Sequence, residues 1–144
     1  VGRLDMDSEG LLILTDDGQL ALGLTHPSRQ ASKTYLVRLQ RRATQNDLDR
    51  LAYGIRLDDG PTLPARARFA DTSGKLVEIE MREGRKRQVR RMFASLGNRV
   101  VRLKRTKLGC VELGRLVEGS YRELTPEEIE GLKRLLQQSP AERR

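Results

Sequence analysis

Val89, Met92, Phe93 and Leu96 recur at i, i+3, i+4 and i+7, the spacing that puts four side chains on one face of an α-helix, and Gly97 supplies the stop. The other faces of that helix carry arginine. A helix with a single apolar stripe must lay it against another layer, and the flanking segments read as the strands of that layer. Residues 34–39 alternate, with Tyr35, Val37 and Leu39 on one face. Residues 65–69 and 76–81 flank Ser73-Gly74 and read as a hairpin, and Val100, Val101 and Leu103 follow the helix as a further strand.

The remaining elements are short. The apolar run Leu11-Leu12-Ile13-Leu14 reads as a buried strand ending at the Asp16-Asp17-Gly18 turn. Residues 17–24 fit a short helix stopped before Pro27. Thr44 is placed to cap a helix with Leu48, Leu51 and Ala52 at helical spacing, and Asp58-Asp59-Gly60-Pro61 is a turn. Thr125-Pro126-Glu127-Glu128 combines an N-cap hydroxyl, proline at N1 and a capping-box glutamate, followed by Ile129, Leu132, Leu135 and Leu136 as the expected buried stripe. The expected fold is α+β: a mixed, largely antiparallel sheet with helices packed on it. One domain spans residues 1–144, and its tail after about residue 138 is expected to fray.

Charge is distributed unevenly. Residues 82–107 hold eleven Lys and Arg and one acid, a net +10, against +8 for the whole chain, so the rest sits at −2. A charge run is commonly a solvated face, but this excess costs self-repulsion that solubility alone does not require. A basic stripe on a near-neutral body is the footprint of a phosphate-backbone binder. No apolar run approaches the roughly 18 to 20 residues of a membrane helix, so no membrane association is expected. The single Cys110 leaves no internal disulfide, which favours a reducing compartment, and the cytoplasm is expected.

Three chemistries compete for the polar residues. Asp5-Met6-Asp7-Ser8-Glu9-Gly10 copies the first half of a calcium loop, but the closing acid would be Asp16, shorter than the usual Glu, and residues 11–14 look like a strand. Cys110 and His26 could form a nucleophile–base pair, yet no third orienting group accompanies them, and a small packed thiol with a loop imidazole is the simpler reading. The third centres on Asp5. In extended chain Arg3 lies two residues away on the same face and gives that carboxylate a cationic neighbour.

Gly2-Arg3-Leu4-Asp5, continued by the run from Asp7 to Gly18, resembles the active-site signature of the RsuA/RluB/RluE/RluF-type ribosomal RNA pseudouridine synthases. Lys33-Thr34-Tyr35 resembles that family's second motif, Glu83-Gly84-Arg85-Lys86-Arg87-Gln88-Val89-Arg90-Arg91-Met92 its third, and Leu103-Lys104-Arg105 its last. Four motifs in order over roughly residues 1–135 make the resemblance specific. It implies isomerisation of a uridine to pseudouridine in ribosomal RNA, by base flipping and without cofactor or metal.

By the same resemblance Asp5 is the nucleophile, and Arg90 keeps its carboxylate ionised and oriented. Tyr35 lies against the flipped uracil and assists proton transfer, Leu103 closes the apolar side of the pocket, and Arg3 braces the gap left by the base. Arg85, Arg87, Arg91, Lys104 and Arg105 are the expected RNA contacts. The expected partner is ribosomal RNA or a pre-ribosomal particle, met by a monomer. The 59–65 stretch hints at large-subunit members. The signature adjoins Val1, so the chain is expected to lack the preceding strand with its Lys-Pro motif and a small N-terminal RNA-binding module, and to bind RNA weakly alone. The alternative is a noncatalytic RNA-binding or ribosome-assembly module, which the basic stripe alone would equally support.

Overall fold

The computed structural model describes residues 4–26 and 31–137. Arg3 and the tail from residue 138 onward lie outside the described residues. Twelve elements follow in chain order among those residues: β1 (Glu9–Gly10), α1 (Gly18–Thr25), β2 (Lys33–Leu39), α2 (Gln45–Tyr53), β3 (Arg56–Leu57), β4 (Gly60–Pro61), β5 (Arg66–Phe69), β6 (Leu76–Met81), α3 (Gln88–Ser95), β7 (Val100–Leu108), β8 (Val111–Glu112) and α4 (Pro126–Gln137).

The main sheet has the order β1-β7-β2-β6-β5, with β8 paired on β7, and β3 and β4 form a separate small hairpin. Every pairing in the main sheet is antiparallel except β1 with β7. The mixed, largely antiparallel α+β sheet read from the sequence is the one found.

Two apolar clusters share this sheet. The larger joins Val37 and Leu39 of β2, Val77, Ile79 and Met81 of β6 and Leu103 of β7 to Leu48 and Leu51 of α2 and to Val89, Met92 and Phe93 of α3. The α3 stripe is therefore the lid of the main core, with Met92 and Phe93 fully buried. The second cluster gathers Leu11, Ile13, Leu20, Leu24, Leu108, Val111 and Leu132. It seats α1 and α4 near the far end of β7.

Local signals explain most element ends. Thr44 and Asp47 form a reciprocal capping box on α2, Asp17 caps α1, and Thr125 with Glu128 closes the same box on α4. Gly97 takes the left-handed conformation after α3 at φ 75°. Two expectations change. Residues 11–14 form no strand of their own: Leu11 and Ile13 are buried while Leu12 and Leu14 face solvent, and Leu11 ties the segment to β7 through its N–H to the Arg105 carbonyl (2.8 Å). On α4, Leu132 is buried and Leu135 and Leu136 partly so, but Ile129 is exposed, because the helix meets its neighbours along only one narrow line.

Candidate active site

A cleft of about 650 Å³ opens where the two clusters meet, lined by Leu24 and Leu108 from one and Met81, Val89 and Leu103 from the other. Its floor is set by the register of three strands. Tyr35 pairs with Ile79 on β6 and with Arg105 on β7, and Lys33 pairs with Met81 and Leu108. Strict alternation would send Arg105 and Leu108 to opposite faces. A register shift between Thr34 and Tyr35 inserts one extra β7 residue, so Leu103, Arg105 and Leu108 all line the cleft with Lys33 and Tyr35.

Asp5 enters over this floor from a turn in which the Ser8 N–H donates to the Asp5 carbonyl (2.9 Å). The turn is held at its far end by β1. Gly10 lies beside Arg105 with φ 113°, and an added Cβ would come within 2.2 Å of the Arg105 carbonyl oxygen. Only glycine permits both that conformation and that approach. Arg105 in turn donates from Nε to the Leu11 carbonyl (2.9 Å), locking the segment after Asp5 onto the sheet.

The loop before α3 forms the opposite wall. Buried Glu83 accepts from the Leu63 N–H (2.8 Å), from Gln88 Nε2 (2.7 Å) and from Arg85 Nε (3.3 Å), and the Gln88 side chain accepts from the Arg85 N–H (2.9 Å). This network fixes a chain that would otherwise be repelled by its own charge. Arg87 then starts α3 from the left-handed region, φ 51° and ψ 33°, the one non-glycine residue with positive φ among the described residues.

The cation nearest Asp5 differs from expectation. Arg90 donates to the Asp7 carbonyl (2.7 Å) and the Val100 carbonyl (3.3 Å), with its Nε 3.6 Å from the Asp7 carboxylate, and it does not line the cleft. Arg87 is the arginine that reaches Asp5, at 4.0 Å, while it forks Asp7 at 3.0 and 2.9 Å. The expected Asp5–Arg90 pair is thus replaced by an Arg87 bridge over both acids, with Arg90 bracing the turn from behind. The helix phase decides this: Arg87 is the cap residue facing the cleft, and Arg90 lies a turn further in.

Other expected contacts also divide. Tyr35, Leu103, Arg105, Arg85 and Arg87 line the cleft with Asp5. Arg85 and Arg91 are both tied to Asp59, at 3.1 Å and at 3.0 and 3.1 Å, and Arg85 also holds the Gly60 and Pro61 carbonyls. Lys104 alternates to the other face, opposite Glu9, whose carboxylate is forked by Arg102. The acids of the calcium-like run are therefore spent on arginines, Asp7 on Arg87 and Arg90, Glu9 on Arg102.

Burial and charge tune the floor. Burial pushes the Tyr35 hydroxyl up while Arg105 beside it pulls the other way, and the Asp5 charge adds to the rise. Burial and the Arg105 charge lower the Lys33 ammonium, with Glu83 opposing them. The hydrogen bonds from Arg87, with Arg90 behind, hold the Asp7 carboxyl below the usual carboxylate range. Lys33, Ser8 and Glu83 were not singled out from the sequence. The signal for Lys33 was present: it stands two residues from Tyr35 on one strand, hence on one face.

A carboxylate, a half-buried tyrosine and an arginine-walled cleft suit a base taken out of a nucleic-acid stack, and comparison with known proteins places the chain. Residues 1–95 match the RNA pseudouridylate synthase family, and the chain belongs to that family. It is 41% identical over 139 residues to ribosomal large subunit pseudouridine synthase B of Bacillus subtilis (strain 168), covering 94% of this chain and 57% of that protein. It is 47% identical over 134 residues to ribosomal small subunit pseudouridine synthase A of Haemophilus influenzae, covering 91% and 57%. A solved structure described as a pseudouridylate synthase superposes with a TM-score of 0.86 at 47% identity, over 91% of this chain and 57% of that one. The chain spans a little over half the length of the relatives it matches.

Proposed function

We propose that this domain isomerises a uridine of ribosomal RNA to pseudouridine, with Asp5 as nucleophile. The observation that carries the proposal is the convergence of Asp5 and Tyr35 in one cleft walled by the Glu83-to-Gln88 loop. The nucleotide is extruded from its stack at a cost of a few kcal/mol, partly offset by Tyr35, since stacking of a base on an aromatic ring contributes roughly 1 to 3 kcal/mol. The Asp5 carboxylate attacks the sugar at C1′, and the C1′–N1 bond breaks. The base turns, C5 attacks C1′ and displaces the Asp5 carboxylate, and C5 then loses a proton while N1 gains one. Arg87, 4.0 Å from the Asp5 carboxylate, aims it, and Arg90 acts through the Asp7 turn.

Ribosomal RNA is the substrate class that the names of the relatives support, and both subunits occur among them. The 59–65 stretch behind the large-subunit expectation contains β4 and Asp59, the carboxylate that anchors Arg85 and Arg91. Mapping pseudouridine across ribosomal RNA from cells with and without the protein is expected to reveal a site lost in its absence. An unchanged map would reject the proposal in favour of an RNA-binding module without chemistry.

A further inference from the structure

Buried polar groups are nearly always hydrogen-bonded, so the exceptions call for a reason. Among the described residues three buried side-chain atoms have no partner: Arg90 Nε, Arg105 Nη2 and Ser8 Oγ. Arg90 Nε has the Asp7 carboxylate 3.6 Å away. The other two belong to residues that line the cleft, and Arg105 is only 3% exposed. Lys33 lines the same floor, and among the described residues no carboxylate lies within ion-pair distance of its ammonium. A Cβ on Gly84 would lie 3.0 Å from Lys33 Nζ, so the glycine leaves the space that the ammonium occupies.

These groups are donors, and two of them cannot accept. Lys33, Arg105 and Ser8 line the cleft together with Tyr35, where the proposed uracil would lie. We infer that Lys33, Arg105 and Ser8 form a cradle for the carbonyl oxygens of the flipped pyrimidine, and that Lys33 is a catalytic residue that takes up the negative charge of the detached base. This rests on the pseudouridine reading. When C1′–N1 breaks, both electrons leave with the base, and the charge spreads from N1 onto the carbonyl oxygens. Fixed cations in a site screened from water stabilise that anion without reorganising. Bonding of C5 to C1′ displaces the Asp5 carboxylate and neutralises the base; the anion returns when C5 loses its proton and ends when N1 takes one up. The same cradle favours uracil over cytosine, whose amino group at position 4 would face cations that only donate.

Lys33 is faced by Tyr35 on its own strand, by Arg105 on β7, by Glu83 and Arg85 before α3, and by Asp5 across the cleft. The test is single-turnover pseudouridine formation together with RNA affinity and thermal unfolding, for wild type, Lys33→Met and Lys33→Arg. Removing one such donor is expected to slow the Lys33→Met reaction on the order of 10²-fold, with RNA affinity unchanged and partial recovery in Lys33→Arg. Should Lys33→Met fail to fold, Lys33→Gln carries the same expectation. Unimpaired turnover in Lys33→Met, equal loss in both variants, or a loss of affinity that matches the loss of rate would each overturn the cradle and leave the function standing. A wild-type protein that forms no pseudouridine would overturn both.

Discussion

At Arg87 a left-handed backbone and the cation that bridges Asp5 and Asp7 are the same residue. Its left-handed φ of 51° is costly for any side chain with a Cβ, and the fork to Asp7 holds it there. Arg87→Ala keeps the backbone cost and loses the fork, whereas Arg87→Gly loses both. Thermal unfolding is therefore expected to place Arg87→Gly above Arg87→Ala, while both lose pseudouridine formation; the reverse order in melting would contradict the strained geometry. Sequence reading named Asp5 and Tyr35 through the motifs that carry the family resemblance, and both line the cleft. It did not reach the Arg87 bridge, because which carboxylate an arginine meets depends on how α3 is phased against a turn some eighty residues away.

Among the elements, β1 is only two residues long and the most consequential, since those two residues tie the Asp5 turn to β7. Gly10→Ala would drive a Cβ into the Arg105 backbone at a positive φ, and a loss of more than about 2 kcal/mol is expected in denaturant unfolding, with activity falling alongside. Thr44→Ala, which removes a cap far from the cleft, should cost about 1 kcal/mol and leave activity intact. The β3–β4 hairpin adds a pH dependence. Arg91 and Arg85 hold Asp59 at about 2, below its ordinary 3.8, so its contribution is complete above that ordinary value and is lost as pH falls toward 2. Melting curves across that interval should flatten in Asp59→Asn. Helices were legible through their caps and stripes. Residues 11–14 misled because an apolar run does not reveal that only alternate side chains are buried, and the β7 bulge leaves no mark in the sequence.

Across the whole molecule, the basic stripe is partly neutralised by acids from outside it: Asp7 on Arg87, Asp59 on Arg85 and Arg91, and Glu9 on Arg102. A count along the chain cannot see this, because the acids arrive through the fold. Lys86, exposed at the cleft rim and free of any ion pair with a described carboxylate, remains for phosphate. Lys86→Ala is expected to weaken RNA binding and lower the salt-dependence slope by about 1, while Arg91→Ala acts mainly on stability. The expected losses of activity stand on Asp5 as the proposed nucleophile in the cleft. The direct measurement is pseudouridine formation and RNA affinity in Asp5→Asn beside wild type. Asp5→Asn is expected to form no pseudouridine while keeping RNA affinity, and turnover surviving in Asp5→Asn would rule out Asp5 as the nucleophile.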